Sequence, residues 1–339
     1  MGKLSIMKKG IYLKCYKLLA RKIIAVSILV LLTITLVLGY NENILANKEC
    51  NAKVAVIGHF YSIVKRYIEN NKTGKVTTYE FPMLLERLAT DLNKEKLDAL
   101  VLTGDITQHG TQEEWDIVNN FIKTLNFKVF MAPGNHDIDK YYTKKVYLKN
   151  VGYTSKKIEI KGCNLALLNS VHGEGFQEDG FKSGYGPDND SVEILKSLRE
   201  GDTNLLFMHQ SIYSGDLWKM DNRGIYYIEK PGYVDKNKTN LNAFSHEEKW
   251  RNKIEPIIKN KVQAVYSGDY HSKRISSIIR DGIQYIGTAF RFIEDSKIGR
   301  IGRGPLAYNV IYIKDKEIIS YIRYLIINDI KYNSVSESL

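Results

Sequence analysis

The sequence predicts an α/β fold: two mixed β-sheets packed as a sandwich, with helices on both outer faces. Three observations predict it. Apolar runs of strand length alternate with helical patterns between Val54 and Ala132, the order of parallel strands joined by right-handed crossovers. From Ile158 onward strand signals come in adjacent pairs, which implies a second, mixed sheet packed on the first. Possible metal ligands follow five of the strands directly, and open α/β sheets bind ligands outside the carboxyl ends of their strands.

Val54–Ile57 reads as a buried strand. Phe81–Leu92 reads as a helix, with Phe81, Leu84, Leu85, Leu88 and Leu92 at helical spacing. Ala99–Thr103 is a second strand. Glu113–Leu125 is a second helix carrying Trp115, Val118, Phe121, Ile122 and Leu125 on one face, and Val129–Ala132 is a third strand. Ile158–Ile160 and Leu165–Leu168 form a hairpin pair, Val192–Leu198 a short helix, and Asn204–Met208 a strand. Glu247–Ile258 is helical, Val262–Tyr266 is a strand, and Ser276–Tyr324 reads as a meander of several strands. Two stretches, His172–Pro187 and Ser211–Ser245, read as long irregular loops, and loops of that length in a compact domain are commonly functional.

The ends of the chain differ from its middle. Residues 1–40 hold seven Lys or Arg and no Asp or Glu, so a net charge of +11 for all 339 residues falls to +4 for residues 41–339. A mild, scattered excess of this kind does not make a nucleic-acid face, and no nucleic-acid partner is expected. Ile23–Tyr40 is an apolar run of 18 residues, at the lower edge of a spanning helix. The basic flank before it keeps the N-terminus inside and puts the rest of the chain outside the cell membrane. The expected organisation is a basic cytoplasmic tail (1–22), a transmembrane signal anchor (23–40), a linker (41–52), one catalytic-type domain (53–325) and a C-terminal tail (326–339). Cleavage after Gly39 or Ala46 would make the domain a secreted one. Cys50 and Cys163 then lie outside, where they can pair; Cys163 also fits a buried strand position as a thiol.

The strand ends carry the chemistry. The first strand is followed by Gly58, His59, Phe60 and Tyr61, the second by Gly104 and Asp105, and the third by Gly134, Asn135, His136 and Asp137. His209 follows Met208, and Gly268, Asp269, Tyr270 and His271 follow the strand ending at Tyr266. Imidazole, carboxylate and amide oxygen together suit Zn, Mn or Fe, and no CxxC thiolate pair accompanies them. The donors are too many for one ion, and two ions sharing Asp105 would use them.

These blocks resemble the calcineurin-like metallophosphoesterase superfamily over nearly all of residues 53–325. Gly104-Asp105 with Gly110 resembles its second block, Gly134–Asp137 its third, His209 its fourth and the Gly268 segment its fifth. The resemblance implies a phosphoric ester hydrolase, acting on a phosphomonoester or phosphodiester by metal-activated hydroxide. It implies two divalent or mixed-valence transition metal ions (Mn, Fe or Zn), bridged by Asp105. Asn135 and His209 would hold the second ion and His271 the first. His136 would contact the phosphate and protonate the leaving oxygen, with Asp137 holding it in its working tautomer. Asn135, His136 and Arg291 are the expected substrate contacts.

Two blocks depart from the family pattern. The first, usually Asp-x-His, reads His59-Phe60-Tyr61, and the fifth, usually Gly-His-x-His, reads Gly268-Asp269-Tyr270-His271. The exchanges are complementary, carboxylate for imidazole and the reverse, which points to a redistributed site with His59, Tyr61 and Asp269 as ligands. A Tyr61 phenolate would favour trivalent iron; purple acid phosphatases in the same superfamily take a tyrosine ligand from a different block. The alternative is a non-catalytic or single-metal surface protein that retains the fold. The expected substrate is a small-molecule or envelope phosphoester.

Overall fold

The computed structural model describes residues 24, 26–30, 33, 49–61, 81–138, 143–171, 186–210, 212, 217–220, 226–230, 250–268, 276–288, 291–292, 306–314, 316–325 and 336–338. The chain divides into two units, Met1–Lys48 and Glu49–Leu339. In the first, Ile24, Val26–Val30 and Thr33 are helical. Among the described residues no helix is long and apolar enough to cross a membrane. Most of the expected span 23–40, and all of the tail 1–22, lie outside the described residues.

The second unit begins earlier than the sequence reading has it. Strand β1 (Asn51–Ile57) starts inside the expected linker, because Asn51 already pairs with Lys314 and Cys50 is joined to Cys163 by a disulfide. β1 continues into β2 (Ala99–Thr103) and β3 (Lys128–Ala132) as a parallel set. On its other side β1 pairs antiparallel with β13 (Leu306–Lys314), followed by β14 (Glu317–Leu325) and β15 (Ser336–Ser338). The short β12 (Arg291–Phe292) also pairs with β13.

The second sheet runs in the order β10 (Ser276–Arg280), β11 (Ile283–Gly287), β9 (Ala264–Ser267), β6 (Asn204–Met208), β5 (Cys163–Leu167) and β4 (Lys156–Ile160). Its four inner strands are parallel and its two edges, β4 and β10, are antiparallel.

Alternation along the strands builds three cores. Val54 and Val56 of β1, Ala99 and Val101 of β2, Leu165 and Leu167 of β5, and Leu205 and Phe207 of β6 meet between the sheets. The intervening Ala55, Ile57, Leu100 and Leu102 point to the opposite face. There they meet Leu85, Leu88, Ala89 and Leu92 of helix α1 (Phe81–Lys94) and Trp115, Val118 and Phe121 of α2 (Gln112–Lys123). Ala166, Leu206 and Met208 form a third core with Leu195 of α5 (Asn189–Ser197), Trp250 and Ile254 of a π-helical turn (Trp250–Ile254), and Ile258 of α6 (Glu255–Ile258). A strand buried on both faces reads as a continuous apolar run, which is why these strands stand out in the sequence.

Polar contacts lock the helices onto the sheets. Thr111 caps α2 through the Glu114 amide, while the Glu114 side chain accepts from the Thr111 amide, a reciprocal capping box that starts this helix one residue before the expected Glu113. Asp91 of α1 takes two bonds from Arg323 of β14, at 2.7 and 2.8 Å, and one from the Tyr308 hydroxyl at 2.5 Å. Between α2 and β4 come two more helices, α3 (Asn135–Ile138) and α4 (Lys144–Val151).

Three other expectations are corrected. The segment read as one meander, Ser276–Tyr324, is divided: β10 and β11 belong to the second sheet, β13 and β14 to the first. The stretch 211–245 contains an antiparallel pair, β7 (Leu217–Met220) and β8 (Tyr226–Lys230). Within the expected tail 326–339, Ser336–Ser338 adds a strand to β14.

Candidate metal centre

The parallel strands of both sheets end on the same side, and their ends abut. The Thr103 hydroxyl closing β2 lies 3.2 Å from that of Thr288, just past β11. From this rim the chain turns sharply. His59, two residues after β1, has φ +50°, and Asp105, two residues after β2, has φ +48°. A left-handed backbone costs a residue with a side chain about 1–2 kcal/mol, so each turn is held by its surroundings. The Tyr61 amide donates to the Asp105 carbonyl oxygen over 2.9 Å and ties the two turns together.

Two glycines let the turns close. Gly104, at φ +80°, lies against the His209 side chain, and a Cβ there would come within 2.6 Å of its ring. A Cβ on Gly134 would overlap the Asp105 backbone nitrogen and carboxylate. The third turn therefore folds directly against the second.

The outcome is a buried cluster of His59, Asp105 and His209, whose ligand atoms all lie within 4.8 Å of one another. Asp105 stands between the imidazoles: Oδ2 is 3.7 Å from His59 Nδ1 and Oδ1 is 3.3 Å from His209 Nε2. Asn135 brings its Oδ1 to 3.1 Å from the same His209 Nε2. His209 Nδ1 faces the Thr103 carbonyl oxygen at 3.2 Å, and a carbonyl can only accept, so Nδ1 carries the proton. In the neutral ring Nε2 then presents a lone pair toward two oxygen acceptors. Converging acceptors of this kind are what a cation requires, and two imidazoles with carboxylate and amide oxygen suit Zn, Mn or Fe. The residues fit a metal.

His136 lies beside this cluster. Its amide donates to Asp105 Oδ1 over 3.1 Å, and its ring Nδ1 lies 2.7 Å from the Gln108 carbonyl oxygen and 3.0 Å from the Gln108 side-chain Nε2. Tyr61 stacks on its ring, with centroids 5.3 Å apart and planes 8° from parallel.

Asp137 also has a structural task. Its carboxylate accepts from the Ile106, Thr107 and Gly134 amides and from the Thr107 hydroxyl, at 2.8 to 3.1 Å. It therefore braces the Asp105 loop against the Gly134 turn, while His136 Nδ1 is held by Gln108. Burial pushes the Asp137 carboxyl up to about 6; the Asp105 charge adds to this and the amide bonds oppose it. Sequence reasoning misses Gln108 because its nearer atom is a backbone carbonyl, which every residue has.

Of the other expected residues, Asp269 and His271 lie outside the described residues. Arg291 sits in β12 opposite Ala307.

A family model described as calcineurin-like phosphoesterase matches residues 74–273, which is more than half of the chain. The chain belongs to the calcineurin-like phosphoesterase family. The matched stretch includes Asp105, Asn135, His136 and His209 and begins after His59 and Tyr61, so His59 joins the family's cluster on geometry alone. The chain is 32% identical over 99 residues to a 3',5'-cyclic-nucleotide phosphodiesterase of Nostoc sp., covering 29% of this chain and 35% of that protein. Over 44 residues it is 43% identical to a protein of Arcobacter nitrofigilis named "probable glycerophosphodiester phosphodiesterase", covering 13% of this chain and 16% of that one. The chain thus spans only about a third and about a sixth of these relatives' lengths. Among solved structures, a dimetal phosphatase from Danio rerio aligns with 85% of this chain and 98% of its own, at 10% identity and a TM-score of 0.48.

Proposed function

We propose that this calcineurin-like phosphoesterase hydrolyses a small phosphodiester or phosphomonoester with two transition metal ions (Mn, Fe or Zn) bound at the strand ends. One observation carries the reading: the buried Asp105 carboxylate turns one oxygen to His59 and the other to His209, the posture of a bridging ligand. Bound metal ions would supply a lowered water pKa and a clamp on the phosphoryl oxygens. His59, Asp105, Asn135 and His209 would hold them, with Asp269 and His271 as further ligands. His136, fixed through Nδ1, has Nε2 as the nitrogen that can donate to the leaving oxygen when the ring is charged. Asn135 and Arg291 would meet the substrate's phosphoryl oxygens. Both curated relatives carry phosphodiesterase names, which favours a diester.

The reading includes a place outside the membrane, anchored through residues 23–40. Its supports are the seven basic residues before that run and the Cys50–Cys163 disulfide, a bond that persists in oxidising compartments. Protease added to intact cells would then reach the domain; protection until lysis would overturn the location.

The deciding experiment is metal analysis of the purified full-length chain alongside turnover of bis(4-nitrophenyl) phosphate. Two ions per chain, with turnover abolished in Asp105→Asn, is the expected result. Bound metal without turnover across mono- and diesters would favour a non-catalytic surface protein, and absence of metal would end the proposal.

A further inference from the structure

Tyr61 stands where the family's first block carries a histidine, and as a ligand it would need its phenol oxygen on a metal. Its ring lies against two histidines of the site. Tyr61 lies nearly parallel to His136, with centroids 5.3 Å apart, and edge-on to His59, with centroids 5.5 Å apart and planes at 61°. It is thus a spacer between a candidate ligand and the residue that would meet the leaving oxygen. Its backbone is fixed to the Asp105 turn through the amide bond to the Asp105 carbonyl.

His136 needs such a neighbour. Gln108 meets Nδ1 through both its carbonyl oxygen and its side-chain Nε2, so both of these contacts fall at one corner of the imidazole. A flat aromatic surface against the ring restrains its tilt about that corner. We propose that Tyr61 is a positioning residue for His136 rather than a metal ligand, holding the imidazole plane so that Nε2 is aligned with the leaving oxygen. The proposal rests on the phosphoesterase reading. In the step concerned, water oxygen bonds to phosphorus as the ester P–O bond breaks. The bonding pair goes to the leaving oxygen, which takes the proton from His136 Nε2, and the proton lost by water passes to solvent.

The test compares wild type, Tyr61→Phe, Tyr61→Leu and Asp105→Asn in the full-length chain, reading bound metal and steady-state kinetics separately. Two diesters are used, bis(4-nitrophenyl) phosphate and diphenyl phosphate, because the poorer phenolate leaving group depends more on protonation. Tyr61→Leu should keep its metal and its KM but lose kcat about tenfold to a hundredfold, more on the phenyl ester. Tyr61→Phe, which keeps the ring, should restore kcat while retaining metal. Metal loss in Tyr61→Phe resembling that in Asp105→Asn would make Tyr61 a ligand and overturn the proposal, as would full kcat in Tyr61→Leu. A wild type that binds metal but turns over neither ester would sink the phosphoesterase reading, and the metal content of Tyr61→Phe would still judge whether Tyr61 is a ligand.

Discussion

His209 donates from Nδ1 to the Thr103 carbonyl oxygen over 3.2 Å, so a residue of the second sheet is oriented by the backbone of the first. The bond leaves Nε2 toward Asp105 and Asn135. His209→Ala should weaken metal binding by at least about a hundredfold, the upper range for losing even an outer partner of a ligand. Titration of the metal against a competing chelator measures this; unchanged affinity would remove His209 from the site.

Asp137 satisfies three buried amides and a hydroxyl with one carboxylate. Asp137→Ala strands those donors, each at a cost of about 1–3 kcal/mol, so a loss of at least ~3 kcal/mol is expected in denaturant unfolding. Metal affinity should fall with it, because the Asp105 turn loses its brace. A variant as stable as wild type would show that the bonds contribute little.

The same carboxyl predicts a pH dependence for protein stripped of metal. Its folded pKa, about 6, lies above the ordinary 3.8, so the folded state holds the proton more tightly than the unfolded chain does. Its stabilising share is present below about pH 4 and is lost as pH rises through about 6. Unfolding midpoints between those values should decline more in wild type than in Asp137→Asn, and parallel profiles would contradict the assignment.

Gly134→Ala tests the packing of one turn on another. The added methyl would overlap the Asp105 amide and carboxylate, so Asp105 must move. The expected result is a folded protein, by circular dichroism, with metal binding lost. Retained binding would mean that the turns can separate without disturbing the site.

Cys50 and Cys163 are both buried and lie 113 residues apart in sequence. Replacing both with serine should cost about 2–5 kcal/mol, the usual range for removing a native disulfide. Chemical denaturation with and without reductant checks this on the wild type. No difference between the two would show that the bond adds nothing to stability.

Much of the fold is legible because its parallel strands are buried on both faces. Val54–Ile57, Ala99–Thr103 and Asn204–Met208 can be found without any knowledge of their partners. The division of the chain after Ser276 is not, since a strand signal says nothing about which sheet a strand joins. In the site, Asp105, Asn135 and His209 are legible from their glycine neighbours and their places after strands. The work of Asp137 and Gln108 is not, because Asp137 serves backbone amides and Gln108 offers its own carbonyl, and no residue type announces either. Asp137 sits beside His136 in sequence, and its carboxylate accepts from the amides of Ile106 and Thr107.

The disulfide described above also decides how the domain carries a mechanical load. A pull on the chain before Glu49 arrives at Cys50, immediately ahead of β1. Without the bond, β1 could be stripped from β13 and β2 one hydrogen bond at a time, and the turn bearing His59 would follow. With it, tension passes covalently into Cys163 at the start of β5, in the other sheet. The two sheets then share the force, and the strand leading to His59 is shielded from traction at the N-terminus.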